Sequence, residues 1–559
     1  MNFASDAPAS DGVRWPSLIS QAYALLSRRA GLIWYAGALA LGVAWCAFTG
    51  IDLNYDRLNY HLPSASTLLH GRLFEDVAIS SVQTYFNPVV NLLSYGLARE
   101  LGFFWSRYAL AAIQAFAWAF LAAAVWRVVV LELRPKPAQG LVVGAAMAVL
   151  SLLAPLSISI FGTSLADLVM ATFISAALLI RLPAGFEAQP WRGVLTGLIL
   201  GVGVGLKPTI LPICVAYGIV FYAMLAMLTR PARAVAEFAA FGIAAALATL
   251  LVAGPWALAV LKETGNPVFP YANDFFQSPF VPSVPMADNR FLPASLSDWL
   301  SVPARLAIGG ERITGEAYLR DIRFALFWYA LVPALCVCAV WRWRAVLSFC
   351  RSAPRTSFLY AFFISAWLAW EATTGIHRYA LTLDILVGLL LPLPLLLVPF
   401  RWACIGAVAM VALYVGTMRP AEWGGRQYAT FDHSSAPGAG RILARDALVF
   451  ISRKSLFDPP KGYLVDYFGP DSRLVMRSNF EPGLALDTGA NGPFAEKVRR
   501  LLSRRWQDGL WYVTDTAPEA DAYTWFSGYG LKLTSDCATI TTWAAPRLVM
   551  CRVSQAGAS

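Results

Sequence analysis

A succession of long apolar runs occupies roughly the first 420 residues of the chain, and this constrains its fold more than any other feature. A helix that crosses a bilayer needs about 20 apolar residues. About eleven runs approach that length, at roughly 31–50, 107–131, 139–156, 166–181, 193–207, 208–229, 234–260, 323–341, 357–372, 379–400 and 402–418. Only 14% of residues are charged against 58% hydrophobic, so the chain needs lipid as its solvent. The expected fold is a polytopic α-helical membrane protein. The net charge of +10 fits basic cytoplasmic loops and anionic lipid. No basic stripe with interleaved aromatics points to nucleic acid.

Charge placement gives an orientation. With Arg28 and Arg29 in the cytoplasm, alternate connections return there: Arg127/Arg134/Lys136, Arg181/Arg192, Arg230/Arg233, Arg342/Arg344/Arg351/Arg355 and Arg401. The opposite side receives loops 51–106 and 261–322, the short 157–165 and 371–378 connections, Lys207, and everything after 418. That side carries most of the acids. The expected organisation is a cytoplasmic segment 1–30, a membrane domain 31–418 and an outer C-terminal domain 419–559. Counting 87–101 as a span would break the charge pattern, so it is expected to lie on the outer surface, as is 58–71 with Leu58, Leu62, Ala65 and Leu68/Leu69 on one face. The first apolar run lacks a small-residue cleavage site and reads as a membrane helix.

After Gly424 charged residues, Gly and Pro rise. Short runs such as GYLVDYF, DGLWYVTD and APRLVMCRV, with candidate helices at 440–454 and 494–505, predict a small α/β domain. Cys46, Cys214, Cys336, Cys338 and Cys404 read as small core residues of apolar segments. Cys537 and Cys551 form a disulfide if that domain lies in an oxidising compartment. No Walker loop, dinucleotide turn or nucleophile elbow is present.

The first outer loop is the richest in chemistry. Asp52 and Asp56 follow directly on the first membrane helix, and Asp56 opens the pattern Asp-x-x-x-Tyr-His-Leu-Pro. A carboxylate just outside the bilayer can serve as a general base, or Asp56 can cap the helix that follows. Lys207 sits between two apolar runs at the outer edge. There it either snorkels to the headgroups or meets a lipid phosphate. Arg378 offers a planar, always charged donor fork for the same phosphate. Its neighbour His377 is either a second phosphate ligand or a satisfied interfacial histidine. Asp384 is a candidate buried partner for a cation. The four histidines form no cluster, and His61 near Asp56 is a candidate for binding sugar or metal.

The stretches DRLNYHLP (56–63), TYFNPVVNLLSYGLA, GVGLKPT (203–209), TGNPVFPYANDFFQSPF (264–280) and HRYALTLDILVGLL (377–390) resemble bacterial polyprenyl-phosphate-sugar-dependent glycosyltransferases of the GT-C fold. That superfamily includes protein O-mannosyltransferases and the lipid A aminoarabinose transferase. The resemblance covers most of residues 30–420. It implies a bacterial inner-membrane enzyme, with its N-terminus cytoplasmic and its C-terminus periplasmic. Such an enzyme moves a sugar from a polyprenyl-phosphate carrier to an acceptor hydroxyl on glycan, lipid or protein, with inversion. Asp56 matches the family's first-loop catalytic acid and Asp167 its second acid. Lys207, Arg378 and His377 would meet the lipid phosphate, with Tyr60 and His61 on the substrate loop. Many members carry an acidic pair at the first-loop position, whereas Arg57 follows Asp56 here; Asp52 is then the alternative base. No metal ligand is assigned, and a divalent cation is left as an open addition. The competing readings are a transporter or flippase, an O-antigen polymerase or ligase, and an inactive relative. The halves show no repeat symmetry or paired broken helices to favour transport.

Overall fold

The computed structural model describes residues 15–285, 288–309, 317–421, 442–453, 460–478, 488–545 and 547–555. A helix occupies each of the eleven expected apolar segments. By length and composition alone, seven helices among the described residues are long and apolar enough to cross a membrane. Pro137–Leu152 and Pro190–Leu206 are shorter apolar helices. Asp167–Arg181 and Pro354–Thr373 are helical but fall outside both sets. The expected count of eleven therefore exceeds what length and apolarity establish. The first helix starts at Trp15, inside the expected cytoplasmic segment, and is interrupted at Arg29 (φ −123°, ψ 19°) just before the apolar run. Helix Leu92–Gln114 is broken at Gly102 (φ 72°), which separates the expected surface segment from the expected span.

Two features hold the bundle together. The first is a glycine stripe on helix Pro190–Leu206, at Gly193, Gly197, Gly201 and Gly205, facing helix Pro231–Thr264. A Cβ on Gly197 would lie 2.3 Å from the Phe241 carbonyl oxygen, and one on Gly201 2.3 Å from that of Ala245. Small residues at this spacing let two helix backbones touch where lipid offers no hydrophobic drive. The second is a buried charge hub. Arg323 Nε and Nη2 donate to Asp321 at 2.9 and 2.5 Å, Nη2 donates to Asp384 Oδ1 at 2.5 Å, and Nη1 donates to the Leu150 carbonyl at 2.6 Å. Asp384 thus has the buried cation expected for it.

The segments that the charge pattern groups together meet in space. At one end Glu132 accepts from the Arg355 amide (2.8 Å) and Thr356 (2.9 Å), and Arg181 pairs with Glu237 at 3.1 Å. At the other end Asp52 accepts from the Ser164 amide at 2.8 Å, Asn87 donates to the Gly205 carbonyl at 3.0 Å, and Lys497 pairs with Glu263 at 2.6 Å.

The C-terminal domain is a five-stranded mixed sheet of order β2-β1-β3-β5-β4, formed by Leu448–Arg453 (β1), Arg473–Ser478 (β2), Leu510–Thr514 (β3), Leu531–Ile540 (β4) and Leu548–Gln555 (β5). β1 is parallel to β2 and β3, and β5 runs antiparallel to β3 and β4. Helices Ala495–Ser503 and Ala520–Gly528 flank it. The expected helix at 494–505 is present. The expected helix at 440–454 is instead β1 over 448–453, with residues 440, 441 and 454 outside the described residues. β1 is central and parallel, so Leu448, Val449, Phe450 and Ile451 are all buried, and such a continuous apolar run carries no strand alternation. GYLVDYF, expected as a strand, is a 3₁₀ turn at Gly462–Tyr467. Cys537 and Cys551 face each other across β4 and β5 and are disulfide-bonded. Cys336 and Cys338 are exposed on the bundle, not in its core.

The C-terminal domain sits on the loop that follows the first helix. Val77 adds a bridge to β2, accepting from the Met476 amide at 2.9 Å and donating to the Leu474 carbonyl at 2.8 Å. Segment 58–71 does not lie free on a membrane surface. Leu58, Leu62 and Ala65 share a core with Tyr463, Leu464 and Val465, so the C-terminal domain covers the face expected to meet lipid.

Candidate functional site at one end of the bundle

Four distant stretches deliver charged groups to one place. The first helix ends at Thr49, and the chain re-enters a wide π-turn at Arg57–His61. Asp56 precedes that turn but makes no capping hydrogen bond with its side chain. Its Oδ2 instead accepts from Arg378 Nη1 at 2.5 Å, which removes the capping alternative. Arg378 comes from the short turn His377–Ala380. Lys207 is held extended (φ −148°, ψ 103°) between two helices because Pro208 follows it, and its Nζ reaches Asp167 Oδ1 at 2.5 Å. Asp167 opens helix Asp167–Arg181, and its Oδ2 is buried without a hydrogen-bond partner.

Tyr379 joins the two ion pairs. Its ring lies 5.2 Å from Lys207 Nζ and 5.4 Å from Arg378 Cζ. His61 Nδ1 is 2.9 Å from Ser164 Oγ, three residues before Asp167. Burial lowers the His61 pKa to about 4 against the pull of Asp56, so the imidazole is neutral at physiological pH. Burial also pushes Asp56 upward, but the Arg378 guanidinium, with Lys207, holds its carboxyl below the usual carboxylate range. Tyr60 packs edge-on against His61 (4.4 Å) and Phe86 (5.8 Å), and burial and Asp56 raise its phenol well above normal. The cluster pairs two acids with two cations around a neutral histidine.

Two expected site residues lie elsewhere. Asp52 is 2% exposed. Its Oδ1 accepts from the Asn54 amide (3.0 Å) and Nδ2 (2.6 Å), and its Oδ2 from the Ser164 amide (2.8 Å). It fastens the first loop to the 162–165 turn, and its oxygens are spoken for. His377 turns away from Arg378 and packs between Phe324 (5.3 Å) and Trp370 (5.9 Å), with both ring nitrogens unpartnered. It is buried among these aromatic rings, apart from the Asp56–Arg378 pair. Sequence alone assigned no role to Tyr379 or Ser164, although Tyr379 stands beside Arg378 in the 377–390 stretch and Ser164 lies in the 157–165 connection three residues before Asp167. Among the described residues no group of three or more His, Cys, Asp or Glu side chains is placed to hold a metal ion.

The fold is that of a polytopic α-helical membrane protein with a small C-terminal α/β domain, and four separate segments gather a charged cluster at one end of its bundle. No family model matches the chain, and no curated protein matches it. Among solved structures, it is similar to the crystal structure of ArnT from Cupriavidus metallidurans bound to undecaprenyl phosphate. That likeness has 13% sequence identity and a TM-score of 0.48, over 95% of this chain and 98% of the other.

Proposed function

We propose that the chain is an inverting glycosyltransferase of the bacterial inner membrane that uses a polyprenyl-phosphate-linked sugar at the periplasmic face. The observation that carries this reading is the pair of contacts Asp56–Arg378 and Lys207–Asp167, assembled around Tyr379 from four separate segments. Charged groups with perturbed titration that several separate segments bring together mark candidate functional sites. The sequence resemblance to the GT-C glycosyltransferases falls on the same residues. The Cys537–Cys551 disulfide supports an oxidising compartment for the C-terminal domain.

In the proposed reaction the acceptor hydroxyl oxygen attacks the anomeric carbon and gives up its proton to Asp56. The bond from that carbon to the phosphate oxygen breaks, and its electron pair leaves on the lipid phosphate. Arg378 and Lys207 stabilise the charge that develops there. Both cations are already paired with carboxylates, so the phosphate competes with these carboxylates for them. Once Arg378 turns to the phosphate, Asp56 loses the contact that depresses its pKa. Burial then pushes it towards the range a general base needs. Asp52 already accepts three hydrogen bonds, which favours Asp56 as the proposed base.

The test is transfer by purified, lipid-reconstituted protein from a panel of radiolabelled undecaprenyl-phosphate sugars to a membrane-glycan extract. Transfer by wild type, lost in Asp56→Asn, is the expected result. Failure to bind any polyprenyl phosphate would overturn the reading in favour of a transporter or an inactive relative.

A further inference from the structure

A second concave site lies where the first outer loop, the outer end of helix Pro231–Thr264 and the C-terminal domain meet. It has a volume of about 400 Å³ and is lined by Phe74, Glu75, Glu263, Arg473, Lys497, Arg500 and Leu501. That volume falls within the usual range for small-ligand sites. Lys497, Arg500 and Leu501 stand at i, i+3 and i+4 on helix Ala495–Ser503, so one helix face presents them together. Lys497 pairs with Glu263 at 2.6 Å, and Arg473 pairs with Glu75. Arg500 is exposed, and its guanidinium has no partner among the described residues. The groove therefore carries three cations against two acids.

Phe74 forms its aromatic wall. Its backbone is left-handed (φ 58°), and its ring stacks on Tyr85 at 5.4 Å and leans on Trp256 at 5.2 Å. Ala78 (φ 53°) and Ser81 (φ 54°) carry the same strain a few residues on. A non-glycine residue adopts such a conformation only where its surroundings impose it, and such residues cluster at ligand clamps. The strained loop also leads to the catalytic turn, because Ser80 Oγ donates to the carbonyl of Asn59, the neighbour of Tyr60. Phe74 and Ser80 both line a small cavity between the groove and that turn.

From this arrangement we propose that the groove binds a saccharide bearing a phosphate or carboxylate, with the anionic group on Arg500 and the ring against Phe74. Arginine is well suited to grip either anion through two donors. Calling this sugar the acceptor rests on the glycosyltransferase reading; the binding itself does not.

The experiment uses the full chain in nanodiscs preloaded with undecaprenyl phosphate, so that the donor site is occupied. Saturation-transfer NMR then compares glucose 6-phosphate, glucuronate, glucose and inorganic phosphate. Wild type is expected to bind the two anionic sugars and to leave glucose free. Arg500→Glu is expected to weaken them about tenfold, and Arg500→Lys to retain most of the affinity. Equal binding of glucose, no effect of Arg500→Glu, or no binding by wild type would each overturn the proposal. Inorganic phosphate binding as tightly as glucose 6-phosphate would overturn the saccharide assignment. Undecaprenyl-phosphate binding, measured alongside, is expected to be unchanged in Arg500→Glu. Its absence in wild type would count against the glycosyltransferase reading and not against the groove.

Discussion

Arg378 Nη1 lies 2.5 Å from Asp56 Oδ2, so the cation proposed to hold the lipid phosphate and the carboxylate proposed to take the acceptor's proton neutralise each other. Both side chains are about nine-tenths buried, at 7% and 10% exposed. Asp56 engages only Nη1 of Arg378, so a phosphate arriving at the other donors would compete with this carboxylate for the same positive charge. In the proposed reaction, arrival of the donor phosphate would therefore weaken the hold of Arg378 on Asp56 and favour its action as base.

The first prediction follows from that competition. Asp56→Asn leaves Arg378 without its carboxylate, so undecaprenyl phosphate is expected to bind several-fold more tightly. Transfer is expected to fall by ~10²–10⁴, the usual worth of a general base. Equilibrium binding and the radiolabel assay on the same preparation separate the two effects. Weaker binding together with lost transfer would mean that Asp56 positions Arg378 rather than competing with the phosphate.

Lys207 and Asp167 form the second pair, and they separate binding from stability. Lys207→Ala is expected to lower donor affinity by about tenfold. It also strands the Asp167 carboxylate, which is destabilising in a buried setting. The double variant Lys207→Ala/Asp167→Asn is expected to regain the lost thermal stability but not the donor affinity. Recovery of both would show that the pair only holds the helices together.

The sequence carried the chemistry of the site better than its scaffolding. Asp56, Asp167, Lys207 and Arg378 were legible because a charge at the edge of an apolar run is conspicuous and costly. Asp52 was read as a possible base because two acids close in sequence look equivalent. The fold then gives Asp52 three hydrogen bonds, two from backbone amides and one from the Asn54 side chain, and gives Asp56 a guanidinium. His377 and Arg378 are adjacent, yet the short turn sends one into an aromatic core and the other into the site. Segment 58–71 shows the limit of amphipathic patterning. Its apolar face was real, but the pattern does not say whether lipid or the Gly462–Tyr467 turn will cover it. The helix misplaced at 440–454 has the same cause, since a fully buried strand shows no alternation.

The glycine stripe sets a stability prediction away from the site. Gly201→Ala would place a Cβ 2.3 Å from the Ala245 carbonyl oxygen, and that obstacle is backbone rather than a movable side chain. Helices Pro190–Leu206 and Pro231–Thr264 must separate to admit it, at a cost of about 1–3 kcal/mol. Thermal unfolding of the detergent-solubilised protein is expected to show this loss. Gly242→Ala, on the facing helix with nothing within 4 Å of its Cβ, is the control expected to change little.

The contact between the C-terminal domain and the first loop carries a pH dependence. Asp466 accepts from Ser66 Oγ at 2.6 Å in a buried position. Burial raises its pKa to about 6, against the opposing effect of that hydrogen bond. The folded value lies above the unfolded one, so folding favours the protonated form. The stabilising contribution is complete below about pH 4 and is lost as pH rises through about 6. The loss amounts to about 3 kcal/mol across that window. Asp466→Asn keeps an oxygen for Ser66 and cannot ionise, so it is expected to be more stable than wild type at pH 7 and to lack the slope between pH 4 and 6. Amide exchange over residues 62–69, followed from pH 4.5 to 7.5, reads the docking directly. Equal slopes in the two proteins would assign the pH dependence to another group.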